Sequence, residues 1–419
     1  MLKNKKITRR QFLKGVSATG ALALTGALSP MEGLSAEPAI KISASHPLTG
    51  PAAGFGRHSL WGLQVAVNRV NKEGGIKGRK VELLVEDNAG KPAEAVRIMK
   101  KHVLQDKADF IIGGCSSAET LPMVPVAAEL ETLFLITIAE AAEITSELCN
   151  KYTFRPTTEA RHKALGGVPY MIKELGIKKW QMLYWDMAWG ESLRDEFRRE
   201  LEKLGGSLVL AIPTPLGTTD FAPYLTKLKP PQEVPGAFHA VAGADGIRLD
   251  KAIGEFGLQK KYTWAGTCCA MFPEVFQELS PVIDGMYIID QYPDLPIPPL
   301  DTPWDMKFRE EFIEISKGNP AESHSWGSFQ SLFILKKAIE QIGGYKDKKK
   351  DTPKIIKAIE GQRGEKGPNF PQGPYYIRPE DHQGFFDLYI FQIKDGKEIM
   401  KKVVPMKETM FPPSSKCKM

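Results

Sequence analysis

Three stretches near the start of the chain, Ile40-Lys41-Ile42-Ser43, Gly56 to Asn71 and Val81-Glu82-Leu83-Leu84-Val85, decide the fold. The first and third are short apolar runs with the length of buried strands. The middle one places Leu60, Leu63, Val67 and Val70 on one face of a helix. Strand, helix and strand in this order make a βαβ unit, which requires a parallel sheet covered by helices. The alternation continues through a helix near Ala93–Leu104 and strands at Phe110-Ile111-Ile112 and Leu133-Phe134-Leu135-Ile136. A second series follows Tyr152-Thr153-Phe154-Arg155-Pro156, with a helix near Ala160–Leu175, a strand Trp180-Gln181-Met182-Leu183-Tyr184 and a charged helix near Glu191–Leu204. Leu208-Val209-Leu210, Ala237 to Val241, Tyr262 to Ala265 and Met286 to Ile289 supply further strands, with a helix near Phe221–Lys229 among them. Two α/β series of similar size predict two lobes with a cleft between them.

Beyond residue 290 the pattern is broken by Pro293, Pro296, Pro298, Pro299 and Pro303, which exclude both a helix interior and a central strand. This segment reads as a crossing or surface loop. Helices near Ser325–Ile342 and Thr352–Glu360 and a strand-like run from Phe385 to Ile393 complete the chain.

The 419 residues, 42% hydrophobic and 25% charged, are ordinary globular material and exclude disordered, collagen-like and coiled-coil classes. The formal net charge is +6, but Lys3, Lys5, Lys6, Arg9, Arg10 and Lys14 against Glu32 concentrate five of those charges in residues 1–36. The body is nearly neutral and offers no electrostatic case for nucleic acid. Residues 1–36 have the layout of an export signal: a basic start, a mildly apolar run from Val16 to Leu28, then small residues at Gly33, Ser35 and Ala36. Within it Thr8-Arg9-Arg10-Gln11-Phe12-Leu13-Lys14 is similar to the twin-arginine motif, which predicts export in the folded state, the twin-arginine machinery as a partner, and a soluble periplasmic product.

The five cysteines, Cys115, Cys149, Cys268, Cys269 and Cys417, are too few for a disulfide scaffold and too scattered for a zinc site. An oxidising compartment permits a bridge. Cys115 with Cys149 is the first pair to consider, although an odd count leaves connectivity open. Seven histidines show no ligand spacing, so no metal and no cofactor are expected.

Ligand sites in open α/β sheets lie beyond the carboxyl ends of strands. The loop His46-Pro47-Leu48-Thr49-Gly50-Pro51-Ala52-Ala53-Gly54-Phe55-Gly56 reads either as a surface turn or as a close approach of backbone to a ligand beside Phe55. In Gly113-Gly114-Cys115-Ser116-Ser117-Ala118-Glu119-Thr120, Ser116 and Glu119 have capping-box spacing, a role compatible with holding a ligand carboxylate. Trp180, Tyr184, Trp185 and Trp189 form core and cleft wall, with Trp189 in a loop position. Nucleophile-elbow, phosphate-loop, zinc-protease and dinucleotide signatures are absent, and no base is designated for Cys115 or Ser116.

Pro47-Leu48-Thr49-Gly50-Pro51-Ala52-Ala53-x-x-Gly56, Asn71-Lys72-Glu73-Gly74-Gly75-Ile76-Lys77-Gly78-Arg79, Glu86-Asp87-Asn88 before Pro92, and Gly114-Cys115-Ser116-Ser117 resemble the leucine/isoleucine/valine-binding family of periplasmic ABC-transporter substrate-binding proteins. Tyr152-Thr153-Phe154-Arg155, Trp189-Gly190-Glu191 and Asp220-Phe221 fit the same pattern, so the resemblance spans about Ile40 to Ile393. It implies a type I periplasmic binding protein: α/β, two Rossmann-like lobes joined by a three-segment hinge. Lobe 1 is then 38–157 plus 286–370, and lobe 2 is 158–285 plus 371–407.

The resemblance implies a small-molecule ligand and an inner-membrane ABC permease as partners, with no chemistry done on the solute. A sensor of the same fold, or an exported hydrolase using Cys115 or Ser116, is the alternative. It places Phe55, Ser116, Ser117, Ala139, Glu140, Trp189 and Gly243 at the cleft. Three positions depart from the family pattern: in Thr137-Ile138-Ala139-Glu140-Ala141, which matches the next carboxylate-holding loop, the usual threonine falls at Ala141, or at Glu140 if the gap is placed differently; Cys268 falls where an acidic residue receives an amino-acid ammonium; and Arg161 falls at or near a second acidic position. These departures point to a small carboxylate, aromatic or dicarboxylic, held by Ser116 at one end and Arg161 at the other.

Overall fold

A computed structural model describes residues 37–267 and 273–419. The export signal expected in residues 1–36, and Cys268, lie outside the described residues.

The first βαβ unit forms where the sequence places it, as β1 (Ile40–His46), α1 (Ala53–Lys72) and β2 (Val81–Asp87). It continues through α2 (Pro92–Leu104), β3 (Phe110–Gly113), α3 (Ser117–Glu129), β4 (Phe134–Ile136) and β5 (Thr153–Phe154). These strands make one parallel sheet ordered β2-β1-β3-β4-β5.

The second series runs α4 (Ala160–Lys173), β6 (Lys179–Trp185), α5 (Ala188–Lys203), β7 (Ser207–Thr214), α6 (Ala222–Leu225) and β8 (Gly236–Ala240). It goes on through α7 (Gly243–Glu255), β9 (Thr263–Gly266), α8 (Pro273–Leu279) and β10 (Tyr287–Asp290). The chain then returns to the first sheet with α9 (Pro303–Ser316), α10 (Ser325–Gln341) and α11 (Lys348–Ile359). A small antiparallel sheet follows, of β11 (Arg363–Gly364), β12 (Tyr375–Ile377) and β13 (Gly384–Phe386). Finally β14 (Leu388–Lys394), β15 (Lys397–Val404) and α12 (Met406–Thr409) rejoin the second series, whose sheet is ordered β15-β14-β10-β9-β8-β6-β7.

Strand pairing moves both expected lobe boundaries. β10 pairs with β9 and β14, so the chain leaves the second lobe after Asp290 and not at residue 286. The β11–β13 sheet hangs from the first lobe through Gln362, which donates to the Ile334 carbonyl of α10 and accepts from the Tyr375 hydroxyl. β14, which begins at Leu388, pairs with β10 in the second sheet. α10 lies hard against α1: a Cβ on Gly62 would sit 2.0 Å from the Ser325 carbonyl oxygen, so only glycine permits this approach.

α9 and β15 are not among the elements expected from the sequence. Pro303 opens α9, with Thr302 capping it by accepting from the Asp305 N–H at 3.2 Å. From α9, Arg309 donates to the carbonyls of Asp294 at 2.6 Å and Pro293 at 3.0 Å, which fixes the proline-rich crossing.

The three crossings are bonded to one another. Thr157 donates to Gln291 at 3.0 Å, and Gln383 donates to the Thr157 carbonyl at 2.8 Å. Fully buried Arg155 joins Gln383, the Ala141 carbonyl, Thr145 and Glu159.

The disulfide joins Cys149 to Cys417, with Cα atoms 5.4 Å apart. This corrects the pairing of Cys115 with Cys149, because Cys115 is buried and free in the loop after β3.

Candidate functional site

Loops at the carboxyl ends of β1, β3 and β4 in the first lobe face those of β6 and β8 in the second. Between them lies a cavity of about 60 Å³. The first lobe contributes Ala52, Phe55, Cys115, Ser116, Ser117, Ile138, Ala139, Glu140 and His324, and the second contributes Trp185, Met187, Trp189 and Ala242.

Six residues expected at the cleft, Phe55, Ser116, Ser117, Ala139, Glu140 and Trp189, meet at this one cavity. Gly243 is placed at its rim. A Cβ on Gly243 would stand 3.1 Å from the Phe55 ring and 3.4 Å from the Pro51 carbonyl, so the start of α7 touches the start of α1 across the lobes.

Arg161 is elsewhere. Its guanidinium lies over the Phe411 ring, 4.6 Å from the centroid, and faces Glu196 at 3.8 Å in a separate groove bordered by the C-terminal tail. This placement replaces the expectation that Arg161 closes the far end of the ligand site.

Ser116 caps α3 as its spacing predicts. Its hydroxyl accepts from the Glu119 N–H at 3.4 Å, and Glu119 accepts from the N–H groups of Cys115 at 3.0 Å and Ser116 at 3.3 Å. The start of α3, bordered by the Ser116 and Ser117 hydroxyls, is thus presented to the cavity as a place that favours negative charge. The Ser117 hydroxyl accepts from the Ala141 N–H at 3.2 Å and ties this loop to the one after β4.

On that second loop sits Glu140, only 5% exposed. Its carboxylate accepts from the Trp189 indole at 2.9 Å and the Thr158 hydroxyl at 2.5 Å, and Lys163 stands 3.7 Å away.

The apolar walls are rings. Trp185 is held by its indole N–H to Asp245 at 3.0 Å and meets Trp189 edge to face at 5.9 Å. Phe55 meets His324 at 4.8 Å, and His324 is paired with Glu322 at 2.5 Å. Aromatic edges and faces of this kind suit a flat or branched apolar solute.

Burial raises the Glu119 carboxyl to about 7. Burial, with Glu119 and Glu322 nearby, also drives the Cys115 thiol well above its usual range. That is the reverse of the activation a cysteine nucleophile requires.

His324 and Trp185 were not singled out as ligand contacts by the sequence. Trp185 is recognisable there only as part of an aromatic cluster. His324 reaches the cavity from the start of α10, about two hundred residues from Ser116, and no local pattern announces it.

Outside the cleft, Glu86, His102 and Asp106 bring metal-type ligand atoms within 4.8 Å of one another, and Lys101 already pairs with both carboxylates there. Among the described residues no helix is long and apolar enough to cross a membrane.

Two α/β lobes, three bonded crossings and a cavity walled from both sides define a binding protein of hinged lobes. The chain belongs to the periplasmic binding protein family, whose model matches residues 39–398. It is of the type represented by leucine/isoleucine/valine-binding proteins, as its loops resemble. It is 29% identical over 347 residues to the Leu/Ile/Val-binding protein BraC3 of Rhizobium johnstonii, covering 80% of this chain and 86% of that one. A 31% match over 235 residues to the Leu/Ile/Val-binding protein homolog 3 of Brucella melitensis covers 54% of this chain and 63%, less than two thirds, of that relative. In structure it is similar to the solute-binding protein of an ABC transporter from R. palustris in complex with benzoate, with a TM-score of 0.79 at 21% identity, covering 91% of this chain and all of that one.

Proposed function

We propose that this protein, exported to the periplasm by the twin-arginine route, captures a small organic solute between its lobes and delivers it unchanged to an ABC permease. The observation that carries this reading is the cavity itself: Phe55, Trp185 and Trp189 enclose an apolar body, while the start of α3 offers donors for a carboxylate. Relatives named for leucine, isoleucine and valine, and a structural neighbour holding benzoate, bracket the solute as an amino acid or an aromatic acid. The raised thiol of Cys115 counts against the hydrolase alternative.

The test is a melt of the purified protein with L-leucine, L-phenylalanine, benzoate and 4-hydroxybenzoate. A true ligand at about 100 times its Kd adds about 2.7 kcal/mol of stability. Mass spectrometry should recover that ligand intact. No shift with any of the four, or recovery of a converted product, overturns the proposal.

A further inference from the structure

We infer that the tail beyond α12, bonded through Cys149 and Cys417, is a fourth and covalent crossing between the lobes, a strap that limits how far the hinge opens.

The tail starts on the second lobe. α12 follows β15, the edge strand of the second sheet, and lies against α4: a Cβ on Gly166 would stand 3.7 Å from the Thr409 methyl group. The Phe411 ring then covers the start of α4, with the His162 ring at 5.0 Å and the Arg161 guanidinium at 4.6 Å. It also meets Phe385 of β13 at 5.3 Å, and Arg378 donates to its carbonyl, so this ring sits where the second lobe adjoins the small sheet. The tail ends on the first lobe. There Lys416 pairs with Glu147, and Cys417 is bonded to Cys149 just before β5.

Little slack lies between these ends. Thr409 and Cys417 are about 28 Å apart at most if the chain between them is fully extended, and that chain is not extended. Pro412 and Pro413 have a fixed φ, and the Cys417 N–H donates to the Ser414 carbonyl at 3.1 Å in a turn. The segment runs along a groove whose banks belong to different lobes, Ser146 and Glu147 on one side and Glu196 and Arg199 of α5 on the other. The bond between Ala142 and Ser192 crosses the same seam.

Opening the cleft separates those banks. Ion pairs and ring contacts along the tail can part as this happens, whereas the disulfide holds. A covalent link removes open conformations and leaves the closed one intact, because the structure with Trp189 bonded to Glu140 across the cavity already contains it. The strapped protein therefore gives up less freedom when it closes on a solute. Reduction of the disulfide releases the lobes.

The experiment needs no solute, so its outcome is independent of the reading of the cavity. Small-angle scattering and hydrogen exchange are measured on the purified protein in three forms: oxidised wild type, wild type reduced with a phosphine, and Cys417→Ser. The reduced protein and Cys417→Ser should both have a larger radius of gyration than the oxidised one. Amides at the cavity walls, in residues 137–147 and 185–193, should exchange several-fold faster, while those of β3 and β8 in the lobe cores keep their rates. Phe411→Ala lengthens the free span, so it should open the oxidised protein in the same direction and add nothing once the disulfide is reduced.

An unchanged radius together with unchanged exchange at the cavity walls on reduction would overturn the inference. So would exchange that quickens in β3 and β8 as much as at the walls, because the disulfide would then act on the stability of the whole fold. An effect of Phe411→Ala as large in the reduced protein as in the oxidised one would likewise end it, since the ring would act without the strap.

Discussion

Trp189 of the second lobe donates its indole N–H to the Glu140 carboxylate of the first at 2.9 Å, across the cavity. Beside this bond, the Ala142 N–H donates to the Ser192 hydroxyl of α5 at 3.4 Å. The two lobes are therefore joined by polar contacts at the wall of the cavity. A hinge of this kind closes when a ligand stabilises the closed state more than the open one.

Trp189→Phe keeps an aromatic wall and removes the donor. A hydrogen bond to a charged group contributes about 1.5–3 kcal/mol, so ligand affinity should fall by about ten- to a hundredfold. Small-angle scattering should show a larger radius of gyration for the variant at the same ligand concentration. Unchanged affinity together with an unchanged radius would show that this bond does not hold the lobes closed.

Glu119 beneath the same loop makes stability depend on pH. Its carboxyl is raised from 4.5 to about 7 in the fold by burial, so the native state holds a proton that the unfolded chain releases near pH 4.5. This contribution is full below pH 4.5 and is lost as the pH rises through about 7, amounting to about 3 kcal/mol. Glu119→Gln stays neutral at every pH. The stability difference between Glu119→Gln and the wild type, from denaturant melts at pH 5 and pH 8, should shift in favour of the variant by that order at the higher pH. A difference that does not move with pH would refute the assignment, because contributions from His46 and Glu398 are common to both proteins and cancel.

The alternation of apolar runs with helical periodicity made both lobes readable, because inner strands such as β3, β4 and β8 are buried on both faces. The proline cluster from Pro293 to Pro303 was equally plain as a crossing or surface loop. α9 was missed although Thr302, Pro303 and Asp305 spell a helix start, because the prolines before it dominate the local signal. β15 is an edge strand whose Lys397-Glu398-Ile399-Met400 does not alternate and which buries Glu398 while exposing Ile399. The loop residues Phe55, Ser116 and Trp189 all line the interlobe cavity, since a strand end fixes where its loop emerges. Arg161 was misplaced because a helical residue's direction depends on the helix rotation, which sequence periodicity near a crossing does not fix. His324 and the Cys149–Cys417 bridge are set by long-range topology alone.

That bridge closes a loop of 268 residues and ties a tail docked on the second lobe to the first. Between α12 and Cys417 the Phe411 ring packs on His162 of α4 at 5.0 Å and on Phe385 at 5.3 Å, and Lys416 reaches Glu147 of the first lobe. Chain-entropy reasoning allows a crosslink of this span about 5 kcal/mol as an upper bound. Adding a phosphine reductant, or making Cys417→Ser, should lower the melting temperature by several degrees, and limited proteolysis should then cut between residues 411 and 419. A reduced protein that melts like the oxidised one and keeps its tail would show that the packing of Phe411 holds the tail without the disulfide.

Gly243 is where the rim of the second lobe meets the first most tightly. Its φ of +56° lies in the left-handed region, which costs a residue with a Cβ about 1 kcal/mol or more. A Cβ there would also stand 3.1 Å from the Phe55 ring, closer than ordinary van der Waals contact. The backbone strain acts in open and closed states alike, whereas the contact with Phe55 exists only where the lobes meet. Gly243→Ala should therefore lower thermal stability modestly and weaken ligand binding by a further factor, which Phe55→Leu in the same chain should partly restore by giving the methyl group room. Double-mutant calorimetry separates the two effects. If Phe55→Leu restores none of the lost affinity in the Gly243→Ala background, the contact between the two rims does not limit closure and the strain at residue 243 accounts for the whole effect.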